Sequence, residues 1–193
     1  MAFGSATKAK DMAGEKLPHI SINVFPSRGP ALAQGFIAQA AARAAASGQD
    51  LSQVAQAAHD MMNRVNALAM LDTLYYLAKG GRIPKAAAWA GSLFNIKPIL
   101  DATDDVRLLD RCRTKKRALQ RLLEIMRQRT DGRPVCVNLM HANVPEEAEK
   151  LKADILSQFN CPEFYVTDFT PVMGAHTGPG SLGIAFYTEA PAQ

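Results

Sequence analysis

The sequence predicts an α/β domain, with a sheet of about five strands and helices packed on it. Three observations carry that reading. Downstream of residue 130, strand-like apolar runs alternate with helical patterns, the order that builds a sheet covered by helices. The composition is that of an ordinary globular chain, 48% hydrophobic and 21% charged over 193 residues, which suffices to bury a sizeable core. A glycine-rich segment falls between the last two strand-like runs, where a chain reversal is needed.

Each element follows from local pattern. Residues 1–19 mix Gly, Ser, Lys and Ala and read as a loose leader. His19 to Phe25 alternates with β-branched residues and reads as a short strand, broken by Pro26-Ser27-Arg28-Gly29-Pro30. From Ala31 to Ala46 nine of sixteen residues are alanine, a strong helix former, and Ser47-Gly48 ends the run. Asp50 can cap a second helix from Leu51 to about Val65. Leu71, Leu74, Tyr75 and Leu77 sit at helical spacing, closed by Gly80-Gly81 as a C-cap. Pro84 can open another helix through Ala86 to Ala90. Pro98–Leu100 and Val106–Leu109 read as a hairpin around an Asp101–Asp104 turn. Thr114 to Arg129 is a basic amphipathic helix with Ala118, Leu119, Leu122, Leu123 and Met126 on its apolar stripe. Pro134–Met140 reads as a strand, Pro145–Phe159 as a helix, and Phe164–Phe169 and Leu182–Tyr187 as strands.

The net charge of +4 conceals an asymmetry. Between Arg107 and Arg133 ten Lys/Arg stand against three acids, a local +7 that leaves the remainder at −3. That segment suits an acidic protein, a phosphate-bearing ligand or nucleic acid, or simply a solvated helix face. It contains no Phe, Trp or Tyr to stack on bases, which disfavours nucleic acid. Cys112, Cys136 and Cys161 are odd in number and form no CxxC pair, so neither a disulfide framework nor a metal site is legible, and a reducing cytoplasm is expected. No run of apolar residues is long enough for a membrane span, and no cofactor motif is present.

Two segments could carry chemistry. Gly174-Ala-His-Thr-Gly-Pro-Gly180 puts His176 and Thr177 among Gly174, Gly178 and Gly180. Glycines let a backbone approach a ligand, and an imidazole and a hydroxyl can donate to an anion. The same pattern suits a tight turn around a structurally satisfied histidine. In Tyr76-Leu-Ala-Lys-Gly-Gly-Arg-Ile83, Arg82 follows a glycine cap, where its planar fork could reach a carboxylate or simply lie on the surface.

Together LDTLYYLAKGGRI (Leu71–Ile83), GSLFNIKPIL (Gly91–Leu100), HAN (His141–Asn143) and GAHTGPGSLGIAF (Gly174–Phe186) resemble the DegV family of bacterial fatty-acid-binding proteins. SRGPALAQGF (Ser27–Phe36) fits the start of that family's second domain, although Pro26 stands where an aspartate is usual. The resemblance covers roughly residues 20–187. It implies a domain like the family's C-terminal one over residues 20–193, with the first domain missing. It also implies a non-enzymatic carrier, without catalytic residues, cofactor or metal, that holds a long-chain fatty acid and presents its carboxylate to a separate fatty-acid kinase. His176, Thr177 and Arg82 would then bind the carboxylate, with Gly174, Gly178 and Gly180 shaping the ligand loop. Leu74, Leu93, Phe94 and Phe186 could line an acyl tunnel or belong to the core. An interaction module built on residues 107–133, and a remnant that self-associates through an exposed apolar cleft face, are the other readings.

Overall fold

The last strand of the chain lies in the middle of its sheet. In a computed structural model that describes residues 2–29, 31–81 and 96–189, the elements run α1 (Ala2–Lys16), α2 (Leu32–Ala46), α3 (Leu51–Arg64), β1 (Asn66–Met70), α4 (Tyr75–Lys79), β2 (Lys97–Asp101), β3 (Arg107–Cys112), α5 (Lys115–Thr130), β4 (Val135–His141), α6 (Pro145–Gln158), β5 (Phe164–Asp168), α7 (Pro171–Thr177) and β6 (Leu182–Thr188). The strands form one six-stranded sheet in the order β3-β2-β1-β6-β4-β5. Only β4 and β5 are parallel, joined by α6 as crossover; every other neighbouring pair is antiparallel. The α/β class therefore holds, with a mixed sheet.

Side-chain alternation sorts the strands onto two faces. Leu68, Met70, Val137, Leu139, Ile184 and Phe186 point to one side, where Leu122 and Met126 of α5 and Leu151 and Ile155 of α6 cover them. On the other side Ala67, Cys136 and Ala185 are small, and this lets Phe36, Ile37, Met61 and Met62 of α2 and α3 pack close to the sheet. Coverage on both faces explains why β4 and β6 are buried almost throughout.

Local chemistry starts and stops the helices as the sequence suggests. The Asp50 carboxylate accepts from Gln53 N at 2.9 Å, and Asp50 N donates to Gln53 Oε1 at 3.0 Å, a complete capping box on α3. Thr114 Oγ1 accepts from Arg117 N at 3.2 Å at the start of α5. Asp131 and Gly132, with φ of 50° and 71°, end that helix in the left-handed region. The β2–β3 hairpin forms around Asp101, whose Oδ1 accepts from Thr103 N.

Four expectations are corrected. Residues 2–16 are helical, not a loose leader: Ala, Lys and Met outnumber the two glycines, and helix propensity prevails. His19–Phe25 pairs with no strand among the described residues and runs as irregular chain, with the Phe25 ring stacked on His59 at 5.1 Å. Asn66–Met70, read as no element from the sequence, is β1. Of the segment around Leu71–Leu77 only Tyr75–Lys79 is helical, because Leu71 follows directly on β1 and its N donates to Pro98 O. The expected helix at Pro84–Ala90 lies outside the described residues.

Candidate functional site

β1 and β4 run parallel on either side of β6, so their carboxyl ends emerge together, opposite Leu182. At that end of the sheet two motifs distant in sequence interlock. A Cβ on Gly178 would stand 2.2 Å from Tyr76 Cδ2, one on Gly80 would stand 2.6 Å from His176 Nδ1, and one on Gly180 would stand 3.1 Å from Asp72 Cβ. Each glycine is a place where the backbone of one motif lies against a side chain of the other. Gly178 and Gly180 also have φ of 77° and 80°. Asp72 is tied in turn to β2, since Lys97 Nζ donates to its carbonyl at 3.0 Å and to Oδ1 at 2.6 Å.

The segment expected as a glycine loop is half helix. Thr170 caps α7 by accepting from Met173 N, Pro171 opens its first turn, and Gly178 closes it. Met173, His176 and Thr177 share one face at i, i+3 and i+4 and turn it toward an apolar cavity of about 220 Å³. The cavity lies on the sheet face that carries α2, beside Ala69, Leu100, Met140 and Phe169, with Leu77 of α4 and Val106 of the hairpin completing it. Among the described residues His176 is the one titratable group on its wall.

The expected site residues fare differently. His176 is half-buried, with Nδ1 enclosed and without a hydrogen-bond partner. Thr177 is buried, and its hydroxyl donates to Met173 O at 3.0 Å, so its proton is engaged inside the helix. Thr177 O accepts from the Ser181 hydroxyl at 2.9 Å, which fixes the turn after α7. Gly174 lies within α7, where a Cβ would meet nothing within 4 Å, so neither space nor conformation requires glycine there. Arg82, Leu93 and Phe94 lie outside the described residues. Leu74 and Phe186 belong to the core rather than to a tunnel wall. The cavity-lining residues missed from sequence, Met140, Phe169 and Met173, carry no signal beyond being apolar; proximity in the fold alone singles them out.

His141 is buried at the end of β4, with Nδ1 3.1 Å from Asp168 Oδ1 of the neighbouring strand, out of line for a hydrogen bond. The basic segment is largely engaged within the protein. Arg121 bridges Asp110 and Glu124, Arg117 meets Glu124, Arg107 and Arg129 meet Asp101, and Lys115 meets Glu147. Hydrogen bonds from the Arg111 backbone and from Arg121 hold the Asp110 carboxyl below its usual range, while the Asp110 and Glu124 carboxylates raise the Arg121 guanidinium. Arg111, Arg113 and Lys116 remain exposed. These pairs engage Arg107, Lys115, Arg117, Arg121 and Arg129 within the fold, which weakens the field a polyanion would meet while leaving the segment net positive.

The chain is similar to known proteins over almost its whole length. The sequence profile of the DegV family, described as uncharacterised proteins, matches residues 2–189, wider than the 20–187 expected and including α1. A DegV domain-containing protein of Clostridium acetobutylicum is 38% identical over 189 residues, covering 97% of this chain and 66% of the relative. The crystal structure of DegV from Bacillus subtilis, described as a fatty acid binding protein, superposes with a TM-score of 0.82 at 33% identity, over 97% of this chain and 66% of that one. A DegV family protein from Thermus thermophilus, described by its fatty acid binding, gives 0.84 at 25% identity over 94% and 66%. This chain thus spans about two thirds of the length of these relatives. The chain therefore belongs to the DegV family.

Proposed function

We propose that this chain binds a long-chain fatty acid, with the acyl tail in the apolar cavity and the carboxylate at His176. The observation that carries the proposal is a cavity walled by Ala, Leu, Val, Met and Phe with one imidazole at its edge. An amphiphile with a single polar end matches that wall. Each methylene taken from water contributes about 0.8 kcal/mol, so the tail supplies affinity and the imidazole supplies orientation. The descriptions of the Bacillus subtilis and Thermus thermophilus relatives support the same ligand class. Thr177 joins His176 at the carboxylate only by giving up its bond to Met173 O. Arg82, two positions beyond Gly80, is proposed as a further carboxylate donor by family resemblance.

The finer parts of the reading belong to the same proposal. The cavity is smaller than the roughly 300–1,000 Å³ of a typical ligand pocket, which supports the view that this chain supplies one side of the acyl site. Residues 20–193 are the unit proposed for that role, with residues 1–19 apart from it; α1, which buries none of its residues, supports the division. The protein is read as a carrier rather than an enzyme, a reading supported by relatives that are described by the fatty acid they bind. It presents the carboxylate to a separate fatty-acid kinase, in the cytoplasm.

Native mass spectrometry of the protein purified from cells tests the proposal. A retained mass matching a long-chain fatty acid is expected, lost or reduced in His176→Ala. After delipidation, the 193-residue chain should bind palmitate at least about tenfold more weakly than the Bacillus subtilis relative, the equivalent of one charge-assisted hydrogen bond left unmade. Failure to bind palmitate at any concentration below its solubility limit would count against the ligand class. Affinity equal to the relative's would remove the one-sided cleft.

A further inference from the structure

The two glycines that follow Lys79 differ in kind. Gly81 has φ of 60°, and nothing lies within 4 Å of the position its Cβ would take; it is glycine for the turn that ends α4. Gly80 has φ −69° and ψ −11°, an ordinary helical conformation in which alanine is the better residue. What leaves no room for alanine is across the fold. A Cβ at Gly80 would meet His176 Nδ1 at 2.6 Å, Tyr76 O at 3.2 Å and His176 Cε1 at 3.3 Å.

We propose that Gly80 is a positioning residue for His176: its missing side chain is the slot into which the Nδ1 edge of the imidazole turns, so that the Nε2 edge faces the cavity. The proposal rests on the fatty-acid reading of that cavity. Nδ1 is enclosed and has no hydrogen-bond partner. A ring N–H turned into the slot would have no acceptor, so the ring proton sits on Nε2, where it is a donor toward a carboxylate. The slot is rigid because α4 and α7 are locked together a turn away, with the Tyr76 ring against Gly178. The lack of a methyl group at a half-buried helix end thus sets which edge of a histidine the ligand meets.

The test combines palmitate binding to the full chain with nitrogen-15 NMR of its imidazoles, His176 being assigned by its loss in His176→Ala. Gly80→Ala and His176→Ala should each weaken palmitate binding by about tenfold, and the double variant should bind no more weakly than either alone. The His176 nitrogen shifts should change in Gly80→Ala and stay at their wild-type values in Gly81→Ala, which strains the turn but fills open space. Wild-type shifts and wild-type affinity in Gly80→Ala would overturn the proposal. If Gly80→Ala does not fold, the same change is made in the His176→Ala protein, where the slot is vacant. Recovery of folding there supports the assignment, and continued failure overturns it. If the wild-type chain binds no palmitate, the fatty-acid reading fails, while the His176 shifts still decide the role of Gly80.

Discussion

At Gly178 two constraints coincide, a φ of 77° with ψ of 164° and a tyrosine ring 2.2 Å from where a Cβ would stand. That region of conformational space is almost reserved for glycine and costs other residues about 1–3 kcal/mol. The ring cannot yield without parting α4 from α7. Gly178→Ala should therefore lower the unfolding free energy by about 2 kcal/mol or more in urea titration. Gly35 is the opposite case, a glycine in the interior of α2 with nothing within 4 Å of its Cβ position. Gly35→Ala should raise stability by about 0.4–1 kcal/mol, since it only removes freedom from the unfolded chain. From sequence all these glycines look alike. The motif GAHTGPG was legible as a place of close approach, and His176 does reach the cavity wall. What could not be read was the reason for each glycine, because the group that needs the space at Gly80 lies almost a hundred residues downstream.

Asp101 shows how an element is fastened. Its side chain is 3% exposed at the end of β2, accepts from Arg129 of α5 at 2.7 Å and from Thr103 N at 3.0 Å, and so ties the hairpin to the helix behind it. Burial alone would raise its pKa, but the Arg129 and Thr103 hydrogen bonds outweigh burial and hold the carboxyl below its usual value. A carboxylate with a depressed folded pKa adds stability that is present above its unfolded pKa, about 3.9, and is lost as pH falls through the folded value. Asp110 and Glu163 are shifted the same way. Urea midpoints should hold steady from pH 7 to 5 and then fall below about pH 4. Asp101→Asn should cost about 2 kcal/mol at pH 7, by leaving Arg129 without its anion, and its decline in acid should be shallower than that of wild type. The hairpin and α5 were legible because turn and amphipathic signals are local. β1 was not, because Asn66-Ala-Leu-Ala-Met70 is built of helix formers and owes its extended form to partners on β2 and β6. His19–Phe25 errs in the other direction, with strand alternation and no strand partner among the described residues.

Across the whole molecule, protection is distributed unevenly. α5 sits over the core with Leu122 and Met126 fully buried, whereas no residue of α1 is buried and Phe3 and Met12 are 48% and 62% exposed. A helix of that length standing without tertiary burial is marginal in water. Hydrogen exchange should therefore be fast across Ala2–Lys16 and slowest in β4, β6 and α5, as the free energy of local opening follows burial. Protection of α1 equal to that of α5 would mean that it has a binding partner in solution. The α/β class and most elements were legible at this scale, and the cavity was not. Its walls come from five strands and three helices or their flanks, and no local pattern encodes such a meeting.

The position of β6 also sets an order of events during synthesis. β1 and β4 never touch as ladders; each pairs with β6 and reaches the other only through it. Until residues 182–188 leave the ribosome, the nascent chain holds two separate strand groups, β3-β2-β1 and β4-β5, each with an unpaired apolar edge. The β1–β6 pairing joins residues more than a hundred positions apart, as Asn66 with Phe186, whereas Val135 and Thr188 of the β4–β6 pairing lie much closer in sequence, so closure onto β1 is the slow step by the topology of the fold. The edges that wait for β6 are the ones most exposed to misassembly. Ala67 and Ala69 of β1 and Met140 of β4 meet around the cavity only across β6, so the cavity and the joined sheet form in the same late step.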